Sequence, residues 1–174
     1  MNKSVRILTG KLLLLICGLT IFATGAGSQS KATAQGELPP GKWTYSASPY
    51  TGADYSVNPV VVTSIGTDTA LRTNLVQVKN RSDKPVAAIR LRWTLTTAQK
   101  PDVILRKGET ERITSAEGFP AGKSLVLKHV VVSFSELSKP LLKQGKLDGD
   151  YLLTVAVGEI FFADGSTWKE RANK

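Results

Sequence analysis

The chain is short of the residues that most often carry chemistry: one cysteine, one histidine and one methionine among 174 residues. A single cysteine closes no internal disulfide, and with a single histidine it cannot complete a zinc site built from His and Cys alone. Nucleotide cradles are missing too, since neither G-x-x-x-x-G-K-[ST] nor G-x-G-x-x-G occurs, and no G-x-S-x-G nucleophile elbow is present. Acidic residues are the scarcer charge, 14 Asp+Glu against 23 Lys+Arg, giving a net charge of +9. Long apolar runs are lacking as well. The longest, Leu12–Ala23, has 12 residues. As helix it would span about 18 Å, short of the roughly 30 Å hydrocarbon core of a bilayer.

That run sits in a recognisable setting. Lys3, Arg6 and Lys11 precede it, and the small and polar residues TGAGSQSKATA follow it. Basic, apolar and small-residue regions in that order predict a secretory signal peptide over residues 1–34. Cleavage is expected near Gly25–Gly27 or after Ala32-Thr33-Ala34, the latter preferred; an uncleaved anchor is the alternative. Cys17 lies inside the apolar run after Ile16, so it reads as a hydrophobic residue of the signal and not an acylation site. Lys3, Arg6, Lys11 and Lys31 all fall within 1–34, so processing lowers the net charge from +9 to +5. The mature chain then has no cysteine, and an oxidising compartment adds no staples. Its stability must come from a core of about 110 residues, which that size permits.

Residues 35–58 are rich in Gly, Pro, Ser and Tyr and read as a leader or linker, with one edge strand around Trp43–Ser48. From Pro59 onward the pattern is β. Val60–Ile65 is β-branched, Leu75–Asn80 begins to alternate, and Arg81–Pro85 is a turn cluster. Along Val86–Thr97, Ile89, Leu91, Trp93 and Leu95 alternate with Arg90, Arg92, Thr94 and Thr96. That period predicts one buried and one wet face, with Trp93 at the core centre and an antiparallel hairpin to Leu75–Asn80. Val103–Leu105 is a short strand candidate, Lys107–Thr110 a turn, and Ser124–Phe134 a long strand. Residues 136–144, which contain Pro140, fit a short helix or irregular crossover. Tyr151–Val157 is extended, Gly158 marks a bulge, and Asp164-Gly165 signals a two-residue hairpin. The tail 170–174 is polar.

Seven to nine short strands across 59–169 predict an all-β fold, a two-sheet antiparallel immunoglobulin-like sandwich. A small closed barrel is the alternative. No helix–strand alternation supports a parallel α/β sheet. The stretch VQVKNRSDKPVAAIRLRWTL, residues 76–95, resembles the V-x-V-x-N-x-S-x-x-P-V pattern of small extracytoplasmic bacterial immunoglobulin-like domains of the FxLYD-type group. The FxLYD segment itself is absent, because Ser133-Phe134-Ser135 is not followed by Leu-Tyr-Asp. The resemblance implies a fold and a compartment and carries over no site residue.

Candidate sites are therefore surfaces. Arg90 and Arg92 project from the wet face of their strand, and Lys79, Arg81 and Lys84 lie near its turn. If Arg72 or Lys128 joins them, a cationic strip forms that attracts anionic glycans, lipid headgroups or an acidic protein; an ordinary charged solvent face is the competing reading. Trp43, Tyr45, Tyr50 and Tyr55 form either a ligand patch or pins that hold the leader down. The pair Asp148/Asp150 reads as solvated turn acids, with calcium binding as the alternative, Glu109/Glu111 as charges paired locally with Arg106, Lys107 and Arg112, and His129 as a structural histidine. Asn80-Arg81-Ser82 matches N-x-[ST], which carries no meaning if the source is bacterial, as the resemblance implies. No catalytic residue, metal or cofactor is assigned, nucleic acid is not expected as a partner, and no transmembrane span remains after processing. The expectation is an exported, periplasmic or extracellular, non-enzymatic module that binds or scaffolds at the cell envelope, its partner an envelope protein or an anionic surface. A carbohydrate-binding module or enzyme accessory using exposed aromatics and carboxylates is the alternative.

Overall fold

The computed structural model describes residues 38–170; the expected signal, Cys17 and the tail beyond Glu170 lie outside them. Two β-sheets pack face to face as a sandwich. The larger holds β1 (Gly41–Pro49), β8 (Leu147–Phe162), β4 (Val86–Thr97) and β5 (Arg106–Glu109) in that order. β6 (Ile113–Phe119) shares the β4 edge with β5, and β9 (Thr167–Lys169) shares the β8 edge with β1. The smaller sheet is β2 (Val60–Thr67), β3 (Arg72–Asn80) and β7 (Ser124–Ser133). One short helix, α1 (Phe134–Ser138), and a 3-10 turn at Lys139–Leu141 join β7 to β8. No helix among the described residues is long and apolar enough to cross a membrane.

Alternation builds the core. Ile89, Leu91 and Leu95 of β4 meet Leu153, Val155 and Val157 of β8 on one inner face, while Val60, Val62, Val76 and Val78 line the other. Gly158 is the expected bulge: Arg90 pairs with Glu159 but Leu91 with Val157, so one extra residue resets the phase and Ile160 again points inward. Every core side chain among the described residues falls between Trp43 and Trp168.

Several expectations change. The Arg81–Pro85 turn does not close a hairpin; β3 and β4 lie in different sheets. Asn80 explains why. Its side chain, 1% exposed, donates to the carbonyls of Lys84 at 2.8 Å and Phe119 at 2.9 Å and accepts from Ser82 N and Oγ. Those bonds fix a sheet-to-sheet crossover, and they also bury the N-x-S asparagine beyond the reach of a glycan. Trp93 is only half-buried, against the flat face of Gly108, where a Cβ would lie 2.4 Å from the indole. That contact makes Arg106–Glu109 a strand where a turn was expected. The aromatic centre of the core is Phe134 instead, fully buried, with ring centroids of Tyr45 at 4.3 Å, Trp43 at 5.1 Å and Tyr151 at 5.6 Å.

The presumed leader is also part of the domain. β1 runs parallel to β8 over nine residue pairs, Gly41↔Leu147 to Pro49↔Val155, which makes the larger sheet mixed and not purely antiparallel. Finally, Asp164-Gly165 is not a two-residue turn. Only Gly165 has positive φ (83°), and Phe162 bonds both Gly165 N and Ser166 O, the pattern of a type I turn followed by a glycine bulge.

Candidate functional site

The outer face of the larger sheet receives Arg90 and Arg92, and it neutralises them. Arg90 lies directly across from Glu159 and donates to its carboxylate at 2.7 Å. Arg92 is ion-paired with Glu170, whose side chain is 6% exposed, and its guanidinium sits 5.6 Å from the centroid of the Tyr50 ring. Glu170 N also donates to Gly158 O, so the start of the expected polar tail is a fixed part of the sheet. On the same face Thr94 and Thr154 share a hydroxyl bond of 2.6 Å, and Arg112 stacks 3.6 Å over Phe161.

The four expected cations do not meet. Lys79 lies on the outer face of the smaller sheet, on the opposite side of the sandwich, paired in register with Val61 and Ser124. Arg81 sits in the crossover, its guanidinium 4.5 Å over the Tyr55 ring and bonded to the Tyr55 carbonyl at 3.2 Å. Lys84, beside it, pairs with Asp164 at 2.7 Å. The cationic strip therefore does not assemble. The aromatics do not form a platform either. Trp43 and Tyr45 alternate inward from β1, the indole N–H held by Pro39 O and the Tyr45 hydroxyl 3.2 Å from Thr73 Oγ1. Burial raises the Tyr45 pKa, opposed by its bond to Thr73. Tyr50 and Tyr55 lie on the segment after β1 and, with Asn58 and Val61, enclose a cleft too small for any ligand larger than water.

The outer face of the smaller sheet is different. Leu75 of β3 is 45% exposed and Val126 of β7 is 54% exposed. Leu75 faces Lys128 in register and Gln77 faces Val126, so the two apolar side chains are diagonal neighbours. Neither Lys79 nor Lys128 has an ion-pair partner among the described residues. Thr67, Asp68, Asn74, Leu75 and Lys128 border an open recess of about 370 Å³. Gly66 stands opposite Leu75, and a Cβ there would come within 3.0 Å of the leucine's own Cβ. Asp68 closes the rim: it accepts from Ala70 N, Arg72 N, Arg72 Nε and Asn74 Nδ2. Its pKa is lowered, chiefly by the Arg72 backbone N–H, with the Arg72 side chain adding to it against a desolvation cost.

This patch was not picked out from the sequence, though a signal existed. Leu125-Val126-Leu127 places apolar residues on both faces of one strand, so one of them had to face outward. The carboxylates do not converge. Asp150 is occupied by Thr44 Oγ1 at 2.8 Å and Gln99 Nε2 at 2.9 Å, while Glu109 lies in β5 opposite Arg92. Among the described residues no group of three or more His, Cys, Asp or Glu side chains is placed to hold a metal ion. His129 is half-buried in the irregular stretch of β7, where Thr73↔Val132 gives way to Leu75↔Lys128. Comparison with family models, with curated proteins and with solved structures gave no match.

Proposed function

We propose that the chain is an exported, non-enzymatic β-sandwich module of the bacterial cell envelope that binds a partner protein through the outer face of β2-β3-β7. Supporting the compartment are the signal-like N-terminus and the resemblance to extracytoplasmic immunoglobulin-like domains. One observation carries the binding face: Leu75 and Val126 are exposed side by side between two lysines without ion-pair partners among the described residues. A segment that sets apolar side chains on Leu75 and Val126 and acidic ones on Lys79 and Lys128 satisfies both the exposed area and the uncompensated charge. The carbohydrate alternative loses its support, because Trp43 and Tyr45 are spent on Phe134 and Tyr50 and Tyr55 on arginines.

Photo-crosslinking from the two outer faces tests this. A photoreactive residue at Gln77 should capture a discrete envelope protein, and Leu75→Asp with Val126→Asp should abolish the capture. The same probe at Thr94, on the other face, should capture nothing discrete. Equal capture from both faces, or capture indifferent to the two substitutions, would sink the proposal.

A further inference from the structure

We infer that one end of the sandwich docks on an anionic bilayer, through the loop Lys139–Lys146. This site is separate from the face proposed above. The loop reads KPLLKQGK: three lysines, no acid and two adjacent leucines. Its tip is a tight hairpin, since Lys143 N donates to Lys146 O and Lys146 N to Lys143 O, both at 3.0 Å. Gln144 and Gly145 both take the left-handed conformation that such a turn requires (φ 51° and 75°). Leu141 packs against the core and anchors the base of the loop, while Leu142 is 36% exposed beside it. None of Lys139, Lys143 and Lys146 has an ion-pair partner among the described residues.

The neighbouring loops add apolar surface. β8 starts at Leu147, β1 starts opposite it at Gly41, and β4 ends opposite Tyr151. Loop 98–105, with exposed Val103 and Ile104, and exposed Leu38 therefore lie at this same end. The acids here are Asp68, Asp102, Glu136, Asp148 and Asp150. Asp68 is paired with Arg72, Asp150 is held by Thr44 and Gln99, and none of the five is within the loop itself. At the opposite end Lys84 is paired with Asp164 and Arg81 is stacked on Tyr55.

The chemistry of this end selects a bilayer as the occupant: exposed apolar side chains beside lysines without ion-pair partners among the described residues match an interface whose headgroups are negative and whose acyl boundary is apolar.

The test is co-sedimentation of the expected mature chain, begun at Gln35, with vesicles of equal parts phosphatidylglycerol and phosphatidylcholine, and with phosphatidylcholine alone. Binding should be confined to the anionic vesicles and released near 1 M salt, where the Debye length falls to about 3 Å. At about fivefold per lysine, K139Q/K143Q/K146Q should lower partitioning by roughly a hundredfold. L142S should lower it by about fivefold, and K79Q/K128Q on the sheet face by less than about twofold. Equal binding to both vesicles, indifference to the triple substitution, or loss only in K79Q/K128Q would overturn the inference. So would retention on soluble polyglutamate without binding to vesicles. Loss of the Gln77 crosslink with vesicle binding intact would separate the two sites.

Discussion

The two outer faces of the sandwich carry similar side chains and handle them in opposite ways. On the larger sheet, Arg90 of β4 lies opposite Glu159 of β8, and Arg92 finds Glu170. On the smaller sheet, Lys79 lies opposite Val61 and Ser124, and Lys128 opposite Leu75. Register decides the difference. Opposite charges in directly facing positions cancel, while a lysine beside a leucine leaves both a charge and an apolar surface for something else to meet. The lesson is that counting cations along a strand says little about a binding face until the facing strand is known.

The largest effect should come from the residue that keeps the two sheets apart. Asn80→Ala removes the donor to the buried Phe119 carbonyl, one of two donors to the part-buried Lys84 carbonyl, and the acceptor of Ser82 N. The orphaned buried carbonyl costs about 2 kcal/mol and the part-buried bonds about 0.5 kcal/mol each, so about 3 kcal/mol of stability should be lost, read from urea unfolding. A loss below about 0.5 kcal/mol would mean that water replaces the network and that the crossover is held by packing alone.

Next comes the neutralised face. Arg92→Ala removes the guanidinium that pairs with the Glu170 carboxylate, whose side chain is 6% exposed. A fully buried pair broken this way costs more; with Arg92 one-third exposed and partly screened, about 2 kcal/mol is expected. Glu170→Gln should cost less, and the double variant should recover part of the loss. Additive losses in that cycle would show that the two side chains act independently.

Much of the fold was legible because alternation and turn chemistry are local. The β4 period, the Gly158 bulge and the short helical crossover before β8 all follow from nearest neighbours in sequence. The β3–β4 pairing was misread because a turn cluster looks the same whether it joins paired strands or opposite sheets; only the distant Phe119 carbonyl tells them apart. Trp43 and Tyr45 looked like leader residues because their strand pairs with residues more than a hundred positions away. Arg90 and Arg92 looked available for the same reason, since their partners are Glu159 and Glu170. Contacts between remote segments set the site, and one strand read alone does not contain them.

Acid should act in the same pattern at both ends. Asp68, held low chiefly by the Arg72 backbone N–H, rims the recess of the smaller sheet. Asp164 is held well below the usual carboxylate range by Lys84 and then Ser166. Depressed carboxylates stabilise the fold above their ordinary pKa of about 4 and lose that contribution as the pH falls through the folded value. The melting temperature should hold down to about pH 5 and fall below about pH 4. Asp68→Asn should be less stable at neutral pH and lose less on acidification. An acid slope unchanged in that variant would remove Asp68 from the account. Lys84 has the opposite sign: Asp164 raises its pKa, so its contribution should fade only above about pH 10.

The smallest stability effect belongs to the unneutralised face, and that is what makes it informative. Lys79→Ala and Lys128→Ala remove no ion pair among the described residues, so each should change stability by less than about 0.5 kcal/mol, while Leu75→Asp, which gives up packing against Gly66, should cost about 1 kcal/mol. The same substitutions should weaken a partner that reads the face, with Leu75→Asp the most damaging because it places a charge where apolar contact is needed. A face that evolved only for solvent would show the first behaviour without the second. A face with a hidden structural role would show a stability loss instead, comparable to that of Arg92→Ala. Measured together, unfolding and crosslinking from Gln77 place the smaller sheet in one of these classes and complete the contrast with the larger one.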